Sequence, residues 1–187
     1  MAAAALTWMR PDELPAVEAL RRLSKDELIR IVIDDAKNWL AHDGLWFQAV
    51  EGRHGMDAAI EADRAAWAQF TVVEAKRILE RLGMKPGGGI PALLKCLEHR
   101  LYARLNAQEA IEVTESRAVF IMRDCRVQSA RRRKGLPDFP CKPVGLVEYG
   151  EFARTIDPRI QTQCIACPPD PATADVACAW EFTISPP

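Results

Sequence analysis

The segment QTQCIACPPDPATADVACAWEF, residues 161–182, joins two alternating runs of residues through a proline-rich loop. Before the loop, Ile160, Thr162 and Cys164 alternate with polar residues. After it, every second position from 176 to 184 holds an apolar residue or a cysteine. Alternation with a period of two predicts strands that bury one face, and the prolines predict a loop between them. The segment therefore predicts the last two strands of a sheet.

The residues before this segment predict two further strands and one helix. EAIEVTE, residues 109–115, alternates with Ile111 and Val113 on one face. RAVFIMRD, residues 117–124, is apolar on both faces, which is typical of a central strand. A helix is predicted around residues 144–155, ended by Asp157 and Pro158. The second half thus predicts a mostly antiparallel four-stranded sheet with one inserted helix.

The first half of the chain shows the spacing of amphipathic helices. Ser24 and Glu27, in the order S-K-D-E, form a capping box that predicts a helix start. The expected helices cover residues 28–42, 45–54 beyond an interruption at Gly44, 57–82, and 91–105 after the joint LGMKPGGG. We therefore expect an α+β fold with a helical region over residues 1–86 and an α/β region over residues 87–187, packed as one unit.

Composition limits the classes of partner. The chain has 187 residues, of which 49% are hydrophobic and 27% charged, with a net charge of -1. This balance predicts no nucleic-acid or membrane-surface partner. The basic run of residues 131–134 is interpreted as a solvated helix face. MAAAALTWMR at the start lacks the features of a signal peptide, so we expect a cytoplasmic protein with reduced thiols.

Four of the six cysteines have a spacing that favours a metal site. Cys164 and Cys167 form a C-x2-C pair at a strand end, Cys178 lies in the next strand, and Cys141 lies at the start of the inserted helix. Zn²⁺ accepts four thiolates in a closed tetrahedral site, which is typical of a structural metal. A redox dithiol, an iron–sulfur cluster and simple burial of the cysteines remain open alternatives.

The segment CKPVGLVEYGEFARTIDPRIQTQCIACPPDPATADVACAWEFTI, residues 141–184, resembles the C-terminal part of the four-vinyl-reductase domain. The phenol-sensing domains of some bacterial transcription activators belong to that family and carry a zinc ion on this framework. The resemblance implies Cys141, Cys164, Cys167 and Cys178 as ligands. This chain departs from the sensors at Cys164, where they use a carboxylate, and in a longer loop before Cys178.

A second resemblance covers most of the chain. DGLWFQAVEGRHGMDAAIEADRAAW, residues 43–67, followed by VVEAKRIL, is similar to a set of prokaryotic proteins grouped near the L-2-amino-thiazoline-4-carboxylate hydrolases. Together the two resemblances imply a fold in which a sheet and its helices enclose a pocket for a small molecule.

The residues suggest other candidates for this pocket and for chemistry. Phe120 on the central strand, Cys125 beyond its end and His99 on the preceding helix are expected to line the pocket. Neighbouring arginines would lower the pKa of the Cys125 thiol and make it a possible nucleophile, although no histidine is close in sequence. Glu51 and His54 have the E-x-x-H spacing of di-iron sites, but no second copy exists, so we interpret them as a solvated or hydrogen-bonded pair.

From these observations we expect a cytoplasmic protein that binds a small organic molecule and carries a structural four-cysteine zinc site. The alternatives are a hydrolase of small cyclic C–N or C–S substrates and an iron–sulfur or redox protein that uses the same cysteines. We also expect a homodimer through the N-terminal helices, which are rich in aromatic residues: Trp39, Trp46, Phe47, Trp67 and Phe70.

Overall fold

The fold is α+β, as expected, with a helical first half and a four-stranded antiparallel sheet in the second half. The computed structural model describes residues 14–171 and 175–184. Its elements in chain order are α1 Pro15–Leu20, α2 Lys25–His54, α3 Met56–Arg81, α4 Gly89–Glu98, a 3-10 helix Leu101–Arg104, β1 Ala107–Ile111, β2 Arg117–Asp124, α5 Arg126–Arg133, α6 Lys142–Ile156, β3 Ile160–Ala166 and β4 Cys178–Ile184. No helix in these ranges has a stretch long and apolar enough to cross a membrane.

Helix α2 begins at the predicted capping box and continues without a break to Gly55. The Ser24 backbone N–H donates to the Glu27 carboxylate over 2.8 Å, and the Glu27 backbone N–H donates to the Ser24 hydroxyl over 3.3 Å. The expected interruption at Gly44 is wrong, because an interior glycine costs a helix only about 1 kcal/mol, which packing on both sides offsets. The chain turns at Gly55, whose φ of 85° suits glycine.

The helix expected over residues 91–105 ends early, at Glu98. Arg100 adopts an extended conformation with ψ of 156°, and a short 3-10 helix follows. The physical reason is the Arg100 side chain, which is 2% exposed and turns inward to two carboxylates, Glu74 and Glu148. A continuous helix would not place this guanidinium between them.

The strand order of the sheet is β1-β2-β4-β3. Strand β2 is central and buried on both faces, as predicted, and Phe120 lies opposite Trp180 on β4. The first strand covers residues 107–111 instead of 109–115, since the chain leaves the sheet at Glu112, which has a φ of 52°. Val113 is therefore 52% exposed and does not share a buried face with Ile111.

One core joins the two regions that the sequence separates at residue 86. Ile78 and Leu79 of α3 belong to the same buried cluster as Phe152 of α6 and Trp180 and Phe182 of β4. Helix α6 lies between the sheet and α3 and packs against both. Its N-terminal end and the first residue of β4 border the candidate site described below.

The basic run of residues 131–134 is solvated only in part. Arg131 on α5 is 3% exposed, and its Nη1 and Nη2 atoms lie 2.7 and 2.8 Å from the two carboxylate oxygens of Glu51 on α2. Its Nε donates to the carbonyl oxygen of Pro137 over 2.7 Å. Glu51 therefore pairs with Arg131, which corrects the expected pairing with His54. Arg132 next to it is exposed and pairs with Asp138.

Most of the aromatic side chains of α2 and α3 pack within the chain. Trp39 stacks on Phe70 at 5.2 Å and meets the edge of Trp67 at 5.8 Å between ring centroids. Trp46 is the exception, at 68% exposure, beside Leu45 at 62%. The homodimer stays a prediction, and the exposed Leu45 and Trp46 would form part of its interface.

Candidate functional site

A cavity of about 530 Å³ lies between helices α2, α3, α5 and α6 and the adjoining ends of β2 and β4. Ligand pockets of small-molecule-binding proteins have volumes of about 300 to 1,000 Å³ and mostly apolar walls. Six aromatic side chains form much of the wall here: Phe47, Trp67, Tyr102, Phe139, Tyr149 and Trp180. The cavity therefore has the size and the apolar lining of a small-molecule site.

Only one of the three residues expected in the pocket lines this cavity. Cys125, at the end of β2, is in the wall. Phe120 is 4% exposed and belongs to the core. Met122, two residues further along on the same face of β2, lines the cavity instead. His99 lies at the C-terminal end of α4, outside the wall, and its carbonyl oxygen accepts from Arg81 over 3.4 Å.

Three of the four predicted metal ligands come together at one end of the cavity. Cys141 precedes α6, Cys167 follows β3 and Cys178 begins β4. The sulfur atoms of Cys141 and Cys167 lie 3.4 Å apart. Cys178 is close enough to Cys167 to interact with it, and the contacts among these thiols raise the pKa of Cys167 and lower the pKa of Cys178. All three line the cavity, so the thiol group is part of its wall.

Cys164 lies next to this group but outside the cavity wall. Burial raises the pKa of its thiol, and the nearby Lys142 ammonium acts in the opposite direction. The Lys142 Nζ atom lies 2.8 Å from an oxygen of Asp170, and that carboxylate accepts from the Cys167 backbone N–H over 3.3 Å. Lys142 thus supplies a positive charge near the thiols, whereas Arg159 pairs with Asp157.

The start of α6 is attached to the loop after β3 through main-chain atoms as well. The Lys142 backbone N–H donates to the carbonyl oxygen of Pro168 over 2.9 Å. On the other side, the buried Gln128 amide donates to the Phe139 carbonyl over 2.7 Å and accepts from the Phe139 N–H over 2.9 Å. Cys141 is therefore held between two ordered segments, which fixes the direction of its thiol.

Four cysteine thiolates are suitable ligands for zinc, but the cysteine side chains are not arranged around one point. With Zn–S bonds of about 2.3 Å, a tetrahedral site separates its sulfurs by about 3.8 Å, and the Cys141–Cys167 distance of 3.4 Å is close to that value. As the side chains stand, no group of three or more His, Cys, Asp or Glu residues in ranges 14–171 and 175–184 could hold a metal ion. A four-sulfur site would need side-chain rotation toward one point.

The Cys125 thiol lacks the features of an activated nucleophile. Burial raises its pKa to about 12, and the nearby thiols Cys178 and Cys141 act in the same direction. This shift is opposite to the lowering expected from neighbouring arginines. No histidine is among the described residues that line the cavity, so the wall offers Cys125 no imidazole base.

Three carboxylates from three helices also reach the cavity: Asp43 of α2, Asp63 of α3 and Glu148 of α6. Burial, together with the charges of Asp43 and Glu148, raises the pKa of Asp63 to about 7, although a hydrogen bond from the Trp67 side chain acts in the opposite direction. Burial likewise raises the pKa of Asp43 and of Glu148. The wall therefore contains an acidic patch, defined as Asp43, Asp63 and Glu148.

Behind this patch, Arg100 is the nearest buried cation. Its Nη1 lies 2.7 Å from Glu148 Oε1 and its Nε donates to Glu74 Oε2 over 2.9 Å. The guanidinium carbon lies 4.7 Å from the ring centroid of Phe152 and 5.6 Å from that of Tyr149. One guanidinium thus serves two carboxylates, Glu74 and Glu148, and forms no salt bridge with Asp43 or Asp63.

The sequence analysis did not predict the acidic patch, although the spacing of carboxylates among apolar residues indicates it. On α6, Glu148 lies four residues after Val144 and four before Phe152, and all three residues are buried. Asp63 stands in the same way four residues before the buried Trp67 on α3. A carboxylate inside an apolar helical stripe indicates a buried charge, which is a candidate for a functional site.

Comparison with known proteins gives one match. Residues 21–184 match the sequence model of a family of unknown function (DUF6125). No curated protein and no solved structure matches the chain. The match covers all elements from α2 to β4, so it includes every residue of the cavity wall named above.

Proposed function

We propose that this chain, which belongs to the family of unknown function DUF6125, is a small-molecule-binding protein whose ligand occupies the cavity between α2, α3, α5 and α6. The observation that carries the proposal is the cavity itself, about 530 Å³ in volume and lined by aromatic rings with a few convergent polar groups. The resemblance to the four-vinyl-reductase domain supports the same assignment.

A zinc ion held by Cys141, Cys164, Cys167 and Cys178 is the second part of the proposal. Zinc in a closed thiolate site contributes its binding free energy to folding. Here it would join the start of α6 to β3 and β4, which is the boundary that Lys142, Pro168 and Asp170 already hold by hydrogen bonds. Six free cysteines suit a cytoplasmic setting, where thiols stay reduced.

The state of Cys125 and the closed form of the proposed zinc site favour binding over hydrolysis. A cysteine nucleophile needs a low pKa or an adjacent base, whereas burial raises the pKa of Cys125 to about 12. A four-thiolate zinc site also lacks the open position at which a catalytic water is activated. The hydrolase alternative therefore keeps only the support of its sequence resemblance.

The experiment is a titration with 2-phenylethanol, a small neutral aromatic probe, followed by NMR line broadening and by the fluorescence of the cavity tryptophans Trp67 and Trp180. We expect saturable binding. Ala41 is exposed and lies in the wall, so Ala41→Phe should occupy part of the cavity and weaken binding by about tenfold, as loss of apolar contact area predicts.

The matched control is Ala49→Phe, on the same helix and equally exposed but outside the wall. It should bind the probe as the wild type does. The assignment of the cavity would be overturned if the wild type did not bind 2-phenylethanol, or if both variants bound it equally weakly.

A further inference from the structure

We propose that the cavity selects an organic cation, a ligand with a protonated amine on an apolar body, and that the acidic patch of Asp43, Asp63 and Glu148 is its binding site. This inference rests on the proposed small-molecule function and names the ligand class. It follows from the charges, the burial and the unpaired polar atoms of the wall.

The charges around the inner wall do not balance. Asp43 and Asp63 form no salt bridge within the described ranges 14–171 and 175–184, and only His42 acts as a nearby positive group on Asp43. Arg100 is shared by Glu148 and Glu74. Buried carboxylates are normally paired with a cation or protonated. A cation in the cavity would satisfy them without a proton.

Two largely buried polar side chains line the cavity with unused hydrogen-bonding capacity. Glu148, 8% exposed, makes one ion pair, from Oε1 to Arg100, and its carboxylate makes no other polar contact in the described chain. Trp180 is fully buried, and its Nε1–H has no well-formed hydrogen bond; it faces the Cys178 sulfur without good geometry. Both groups can bind a polar ligand, Glu148 as an acceptor of an N–H donor and Trp180 as a donor to an acceptor atom.

The remaining wall near the patch is aromatic. Trp67 and Tyr102 stack with 5.8 Å between centroids, and both line the cavity beside Asp63 and Glu148. Aromatic faces and carboxylates together are the groups that bind ammonium ions, because the ring quadrupole and the charge both attract a cation. The apolar area also suits a carbon skeleton, which a hydrated inorganic cation would leave unused.

The basic side chains of the wall are engaged elsewhere or lie near the surface. The buried Arg131 is held by Glu51. The other four are exposed: Lys37 pairs with Asp34 and Lys134 with Gln48, and Arg126 and Arg133 lie at the solvent side of the wall. An anionic ligand whose charge met these exposed side chains would leave the carboxylates of the acidic patch without a cation.

The test compares three probes of the same size: 2-phenylethylamine, 2-phenylethanol and phenylacetate. Binding is measured by NMR titration and calorimetry at about pH 8. We expect the amine to bind at least about tenfold more tightly than the alcohol, as charge-assisted hydrogen bonds predict, and phenylacetate to bind most weakly. Asp63→Asn and Asp43→Asn should each reduce the amine affinity about tenfold and leave the alcohol affinity unchanged.

Glu61→Gln and Asp35→Asn are the matched controls, because they remove a carboxylate from the same two helices outside the wall. Both should bind all three probes as the wild type does. Equal affinities for the amine and the alcohol would overturn the inference, and so would an amine affinity that Asp63→Asn leaves unchanged. In both cases, binding of the alcohol would still support the proposed small-molecule function.

Displacement of the amine by millimolar Mg²⁺ would indicate a metal site and would also overturn the inference. Failure of all three probes would reject both proposals.

Discussion

The indole ring of Trp180 on β4 lies directly against Gly145 on α6. A Cβ atom at position 145 would be 2.6 Å from Cζ2 and 2.8 Å from Cη2 of that ring. Trp180 is fully buried and stacks on Tyr149 with 4.7 Å between ring centroids, so moving the ring would disturb that packing. This contact sets how closely α6 approaches the sheet and hence where Cys141, four residues earlier, meets the thiols of β3 and β4.

Gly145→Ala should therefore destabilise the protein. Overpacking of a buried contact costs about 1–3 kcal/mol, and urea unfolding followed by circular dichroism measures it. Gly150→Ala on the same helix is the control, since its Cβ would meet only the flexible Arg154 side chain at 3.8 Å. That variant should be neutral or slightly more stable, because alanine favours helix over glycine. Equal losses in both variants would contradict the role assigned to Trp180.

Removing the buried Arg131 should cost much more stability than removing its exposed neighbour. Arg131→Met breaks the double contact with Glu51 and leaves the carbonyl oxygen of Pro137 without its donor. We expect a loss of about 2–3 kcal/mol in the free energy of unfolding. Arg132→Met removes only a solvent-exposed pair with Asp138, so the loss of stability should be much smaller. Similar values for the two variants would count against the buried pair.

Asp63 should make stability depend on pH. Its folded-state pKa of about 7 lies above the model-compound value of 3.8, so the folded state binds the extra proton between these values. Stability is therefore highest below about pH 4 with respect to this group and falls as pH rises toward 7. Asp63→Asn removes that loss, and it should stabilise the protein above pH 7 by on the order of 2 kcal/mol after solvent screening is allowed for.

Thermal unfolding of wild type and Asp63→Asn across pH 4 to 8 measures this difference. The two curves should approach each other toward pH 4, where the wild-type carboxyl is protonated in the folded state and about half protonated in the unfolded state. A constant offset across the whole range would mean that the effect of the substitution is not electrostatic.

Metal content should depend on Cys167. We expect protein purified without chelator to contain about one zinc per chain and to show no visible absorption, since Zn²⁺ has a filled d shell. Cys167→Ala should lose the metal and melt at a lower temperature that chelator no longer changes. Cys96→Ala is the control, because Cys96 is fully buried in α4 away from the other thiols. Full zinc in Cys167→Ala would refute the site, and a brown protein would indicate an iron–sulfur cluster.

Local patterns predicted the elements that depend on local forces. The central strand β2 is confirmed from its doubly apolar run, and the start of α2 from the capping box. Helix α6 and strands β3 and β4 were located to within about two residues from their periodicity. The C-x2-C pair and its two partners also drew attention to Cys141, Cys167 and Cys178, which lie together in the fold.

Other expectations failed where a distant partner decides the outcome. Helix α4 stops early because the Arg100 side chain binds carboxylates on α3 and α6. Arg131 is buried, despite three basic neighbours, because Glu51 on α2 lies opposite. Phe120 lies outside the cavity because it packs in the core, and the cavity wall reaches β2 only from Met122 onward. His99 lies outside because it is at the end of α4, which does not border the cavity.

Local patterns are enough to predict the class of fold and the order of its elements, because periodicity and capping act over a few residues. The cavity and its acidic patch arise from packing between elements that are distant in the chain. Asp43, Asp63 and Glu148 come from three helices, and their shared burial arises when those helices pack around one space. Burial and mutual repulsion depend on distances in space, which no local pattern along the chain encodes.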